Sequence, residues 1–131
     1  WKAHGIDVLL RKAYDRGVVM AGGSAGSLCW SNGGTTDSRP AELSIVKGLQ
    51  FIDKSHCPHY NSEPTRRPLY HQNILLEKLS DGYACDDQSG IHFVNGTVRK
   101  AVSLDQENHS YYVYQKNGKI TEERLKSEII N

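Results

Sequence analysis

Apolar positions fall at helical spacing near the start of the chain. Ile6, Leu9, Leu10, Ala13 and Tyr14 line one side of a helix expected over residues 5–16, with Arg11, Lys12, Asp15 and Arg16 mostly on the other side. Gly17 follows, a residue suited to the positive φ at which many helices end. The pattern then changes. Val18-Val19-Met20-Ala21 is a short unbroken apolar run, which predicts a strand buried on both faces, as in a parallel sheet. Gly22-Gly23-Ser24-Ala25-Gly26 makes a tight turn, and the small and apolar residues through Trp30 predict a second helix, closed by Asn32-Gly33-Gly34. Helix, buried strand, turn and helix in this order predict an α/β layered fold.

Residues 46–53 predict another strand. Ser55-His56-Cys57-Pro58-His59-Tyr60 reads as a loop, because proline interrupts a strand ladder. Leu69, Ile74, Leu75, Leu76 and Leu79 give the apolar stripe of a helix over 66–79, and Asp81-Gly82 ends it. Tyr83-Ala84-Cys85 reads as a short buried strand. After Asp86 the texture is that of a β-hairpin meander. Asn95-Gly96 lies between Ile91, Phe93 and Val98, and Asn117-Gly118 follows Tyr111-Tyr112-Val113-Tyr114.

Composition narrows the classes. At 131 residues the natural reading is one domain over 1–131. Sixteen Lys and Arg against fifteen Asp and Glu leave a formal charge of +1, which provides no basic face for nucleic acid. No apolar run approaches the roughly 20 residues of a membrane-spanning helix. The three cysteines, Cys29, Cys57 and Cys85, are widely spaced and form no C-x-x-C, so a reducing, cytoplasmic setting is expected. The chain opens on Trp1 and enters an amphipathic pattern at once, which reads as part of something longer.

The chemistry concentrates at Ser24. Gly22-x-Ser24-x-Gly26 between a buried strand and a helix is the nucleophile-elbow pattern, which lifts a serine hydroxyl clear of the sheet on a strained turn. The Ala25 N–H, at the start of the next helix, is placed to stabilise an oxyanion. An anion-binding turn at a helix start is the plainer alternative. A serine nucleophile needs a base. Among six histidines, His56 and His59 share the Pro58 loop, expected at the carboxyl edge of the sheet near Ser24, and the pattern does not choose between them. Their spacing with Cys57 matches no zinc motif, and no metal or cofactor is expected. Asp37 and Asp53 are candidates for the acid that orients the imidazole.

Four spaced motifs agree in order with one family. Val18 to Ser27, then Thr35-Thr36-Asp37, then Leu49-Gln50-Phe51-Ile52 leading into Cys57-Pro58-His59-Tyr60, and Asp86-Asp87 with Ile91-His92-Phe93-Val94-Asn95-Gly96, resemble the peptidase E (aspartyl dipeptidase) family, in particular its bacterial peptidase E-like branch. The resemblance implies a three-layer α/β sandwich with a mainly parallel sheet, of the class I glutamine-amidotransferase-like kind, here lacking its N-terminal part and carrying C-terminal β-hairpins. It implies a cofactor-free serine peptidase acting on short peptides, including those with N-terminal aspartate. Ser24 maps to the nucleophile, His59 to the base and Asp37 to the acid. Arg66 and Arg67 are candidates for holding an acidic substrate side chain. A cyanophycinase-like or esterase activity, or a non-catalytic truncated chain that pairs with another copy across an exposed sheet edge, are the alternatives.

Overall fold

The first helix, α1 (Ile6–Asp15), starts after Gly5 at φ 67° and is closed by Gly17 at φ 83°, whose N–H bonds the Tyr14 carbonyl at 2.8 Å. The computed structural model describes residues 1–36 and 44–130. A short α2 (Ala25–Leu28) follows, then β1 (Gly33–Thr36), β2 (Ser44–Lys47), β3 (Ser55–Cys57), α3 (Arg66–Leu75) and β4 (Gly82–Cys85). The remainder is strand: β5 (Ser89–Val94), β6 (Thr97–Ser103), β7 (Ser110–Lys116), β8 (Lys119–Arg124) and β9 (Ser127–Ile129).

Helices and strands form the α/β fold that the sequence indicates. The main sheet has the order β2-β1-β3-β4-β7-β8. Its centre, β1-β3-β4, is parallel, whereas β2, β7 and β8 add on antiparallel, so the sheet is mixed. The smaller sheet, β5-β6-β9, carries the first hairpin. Both Asn-Gly pairs make tight turns, with left-handed φ at Asn95 and Gly96 and at Asn117 and Gly118. This is the geometry that matches strand twist in a two-residue hairpin. The core lies between α3 and the main sheet. Tyr70 and Ile74 of α3 meet Cys57, Ala84 and Val113 on three adjacent strands, with Tyr60 and Leu79 closing the ends.

The structure corrects four local expectations. Val18-Val19-Met20-Ala21 joins no ladder among the described residues; Val19 is 86 % exposed. An extended run becomes a strand only where a neighbour takes its N–H and C=O groups, and among the described residues the backbone tie here is Val18 N–H to Ala13 O. The strand expected over 46–53 stops at Lys47, because the N–H groups of Leu49, Phe51 and Ile52 turn to the carbonyls of Cys29 and Trp30. Ser55-His56-Cys57, expected as loop, is the central strand β3, and Pro58 sits just past its end, where no ladder bond is needed. Helix α3 ends at Leu75, since the N–H groups of Lys78 and Leu79 fold back on Asn73 O.

Candidate active site

Ser24 sits at φ 55°, ψ −123°, ahead of the first turn of α2. A non-glycine residue in that region is strained by about 1–3 kcal/mol and is held there by its surroundings. Here the holding is backbone: Gly26 N–H bonds Gly23 O, and Leu28 N–H bonds Ser24 O. The glycines flanking the serine differ in purpose. A Cβ at Gly22 would lie 2.3 Å from the Gly26 carbonyl oxygen, whereas one at Gly26 would meet nothing within 4 Å. Close approach across the elbow therefore demands glycine at position 22. The Ser24 side chain is exposed, as the first N–H of α2, on Ala25, is free of any intrahelical partner by helix geometry.

His59 follows β3, one residue beyond Pro58, and also takes positive φ, 56°. Its Nε2 lies 2.8 Å from Ser24 Oγ. Its Nδ1 lies 2.6 Å from Asp87 Oδ1. A carboxylate can only accept, so Nδ1 carries the proton and Nε2 is left to accept from the Ser24 hydroxyl. Hydrogen bonds from His59 and then Ser62 hold the Asp87 carboxyl below its ordinary value. The Asp87 N–H is itself fixed by Asn61 Oδ1 at 3.1 Å.

The spacing of this pair comes from the sheet. Strands β3 and β4 run parallel with Cys57 beside Ala84, so the residues just past their carboxyl ends emerge side by side. Asp86, the neighbour of Asp87, is buried and accepts the His109 N–H at 2.9 Å instead. The one signal that could have offered Asp87 is its place just beyond a predicted strand, on the edge where ligands gather, the same edge that drew attention to the His56–His59 segment. Asp37 lies outside the described residues. Asp53 is exposed and near Asn32, its Oδ1 3.4 Å from that side chain.

A cavity of about 80 Å³ opens beside the serine, lined among others by Ala25, Thr35, His59, Glu63 and Arg66. The two arginines part company here. Arg66 is buried, lines the cavity, donates to Glu63 Oε2 through Nε at 2.8 Å and reaches the Thr35 carbonyl. Arg67 turns away and forms a two-pronged pair with Glu122 on β8, its guanidinium 4.8 Å above the Tyr60 ring. His56 and His59 share a segment but point to different places. His56 is partly buried, with Nε2 at Ser27 Oγ (2.9 Å) and Nδ1 at the Tyr83 carbonyl (3.0 Å).

A serine at a strained elbow, bonded to a histidine that is bonded to a carboxylate, is the geometry of a serine hydrolase. Comparison with known proteins agrees with that class: the model of peptidase family S51 matches residues 1–101. The chain belongs to peptidase family S51. It is also 43 % identical over 122 residues to a protein of Bacillus subtilis (strain 168) named "Uncharacterized peptidase YgaJ". That match takes in 93 % of this chain and 53 % of the relative, so the chain spans about half the length of the relative it matches. The matched S51 region holds Ser24, His59 and Asp87, and stops before β7 and β8.

Proposed function

We propose that the chain carries the reacting groups of a serine peptidase, with Ser24 as nucleophile, His59 as general base and Asp87 as the acid that orients it. The observation that carries this reading is the unbroken chain from Asp87 through His59 to Ser24 Oγ, at 2.6 and 2.8 Å. In the reaction, His59 takes the hydroxyl proton as Ser24 Oγ attacks the scissile carbonyl carbon. Negative charge gathers on the carbonyl oxygen, toward the Ala25 N–H. His59 then gives the proton to the leaving amine, and the C–N bond breaks to leave an acyl-serine. Water, deprotonated by the same histidine, hydrolyses that ester and restores Ser24. Asp87 keeps the imidazole in the tautomer that can accept from serine.

The substrate we propose is a short peptide, with an acidic first residue as the favoured case. Arg66 supports this, since it is a guanidinium at the wall of the small cavity beside Ser24. Glu63 already occupies it, so a substrate carboxylate must compete with Glu63 for the same donors. The test uses full-length protein with Asp-Xaa dipeptides, isoaspartyl peptides, neutral dipeptides and p-nitrophenyl esters. Ser24→Ala and His59→Ala should each abolish turnover, and Asp87→Asn should lower kcat by about 10³–10⁴ by favouring the wrong tautomer. Full activity in both alanine variants would end the reading. Turnover of esters alone would move the assignment to an esterase.

A further inference from the structure

Asp87, the acid of the chain just described, stands in a tight turn between β4 and β5. The Ser89 N–H bonds the Asp86 carbonyl at 3.2 Å across that turn, and Gln88 takes φ 62° inside it. A residue other than glycine stays at such a φ only where its surroundings hold it. The surroundings here include the loop between β6 and β7, residues 104–109. Leu104 N–H bonds the Gln88 carbonyl at 3.0 Å. Asp86 exchanges two bonds with His109: its N–H gives to the His109 carbonyl, and its Oδ2 takes the His109 N–H, both at 2.9 Å. The turn that carries the acid thus lies against a loop past the S51-matched region, which ends at residue 101.

The same loop reaches Asp87 itself through two side-chain amides. Asp105 orders the loop: its Oδ1 accepts the N–H groups of Glu107 (2.9 Å) and Asn108 (2.8 Å), and its Oδ2 accepts Asn108 Nδ2 at 2.7 Å. The Asn108 backbone, the Asn108 side chain and the Glu107 backbone together hold the Asp105 carboxyl below its ordinary value, so it is an acceptor near pH 7. Asn108 Oδ1 accepts Asn61 Nδ2 at 2.7 Å, and Asn61 Oδ1 accepts the Asp87 N–H at 3.1 Å. The two ends of this series fix the amides independently. A carboxylate only accepts, so Asn108 must turn its nitrogen to Asp105. A backbone N–H only donates, so Asn61 must turn its oxygen to Asp87. The two amides then meet nitrogen to oxygen, and every donor along the series has one proton for one acceptor.

We propose that Asn108, acting through Asn61, is a positioning residue for the acid: the pair fixes the backbone at Asp87, and with it the direction in which the Asp87 carboxylate meets His59 Nδ1. A group that orients an imidazole must itself be held by hydrogen bonds behind it. Asn61 is well placed for this. It lies two residues past His59 and holds the backbone of Asp87, so it bridges the two segments whose side chains form the His59–Asp87 bond. The proposal rests on the reading of Ser24, His59 and Asp87 as nucleophile, base and acid. Amides that merely braced the loop would change stability and leave the histidine tautomer and kcat as they are.

The experiment compares full-length wild type with Asn61→Ala, Asn108→Ala and the double variant. Asn61 is exposed, so its truncation leaves the core untouched. Each single variant is expected to lower kcat about three- to tenfold with KM unchanged, the size of one hydrogen bond felt in the transition state. Because the amides act in series, the double variant should be no slower than Asn61→Ala. NMR of the imidazole nitrogens should find the His59 proton on Nδ1 in the wild type, and a share of it on Nε2 in both single variants. Unchanged kcat in either single variant, losses that multiply in the double variant, or a His59 tautomer that stays as in the wild type would each overturn the proposal. If wild-type protein turns over no peptide or ester, the catalytic reading of Ser24 has failed on its own, and the His59 tautomer alone decides the positioning.

Discussion

At the scale of single residues the site is built on backbone that no ordinary side chain prefers. Ser24 and His59 both have positive φ, 55° and 56°, and neither is glycine. Strain of this kind persists only where neighbours impose it, and the neighbours here are Gly22 at the elbow and the end of β3 at the histidine. His56 carries a different load. Its value is lowered from an ordinary 6.5 to about 4, chiefly by burial, so the native state binds a proton less readily than the unfolded chain does. Stability from this residue is complete above pH 6.5 and drains away as pH falls toward 4. Thermal unfolding followed from pH 7 to pH 4.5 should record that decline, and His56→Gln should flatten it. An equal slope in the variant would place the pH dependence elsewhere, on carboxylates such as Asp81, which burial pushes up but Lys54 and Tyr112 hold lower overall.

Among elements, β8 does more for the histidine segment than its distance in sequence indicates. Glu122 receives Arg67 and His71 from α3, and Tyr60 from the residue after His59. Burial pushes the Glu122 carboxyl up, and the bonds from Arg67 and Tyr60 outweigh this and hold it below its ordinary value. Glu122→Ala should cost about 1–3 kcal/mol, because three donors lose a common acceptor in a partly buried place. Chemical denaturation gives the cost, and amide exchange should rise in α3 and β8 together. Exchange confined to β8 would mean that the cluster does not join them.

These elements were unequally legible from sequence. Apolar periodicity and Asn-Gly turns locate α1, α3, β4 and both hairpins, because each carries a regular apolar pattern and lies near a local stop signal, although α1 has no buried residue. Strand β3 was not legible. It has three residues, Ser55, His56 and Cys57, and neither Ser55 nor His56 announces burial; its place is set by parallel neighbours far away in sequence. Val18-Val19-Met20-Ala21 misled in the other direction, since an apolar run specifies a wish to be covered and not the partner that covers it. At the site, the elbow at Ser24 was legible from its glycines and His59 from the resemblance. Asp37, the acid that the resemblance indicates, lies outside the described residues; Asp87, twenty-eight positions past His59, becomes its neighbour only through the pairing of β3 with β4, which no local pattern announces.

For the whole molecule, charge and apolar exposure pull the same way. The formal net charge of +1 gives little mutual repulsion between copies. Trp1, Leu9, Val18 and Val19 are each more than half exposed. Exposed apolar surface of this kind favours association. The 131-residue chain, studied by itself, is therefore expected to self-associate, and Val19→Lys should reduce this in light scattering as concentration is raised. Association unaffected by the lysine would put the contact on another surface. No helix among the described residues is long and apolar enough to cross a membrane.

The parallel register of β3 and β4 has one more consequence, for how such a protein can diverge. His59 and Asp87 stand side by side because two strands are in step, and a single-residue insertion in either strand would turn one of them to the opposite face of the sheet. The serine hangs from a separate stretch of chain and meets the pair only through its side chain. On the proposed reading the site is therefore modular in its geometry: the histidine and carboxylate depend on the register of the sheet, while the residue at the elbow does not.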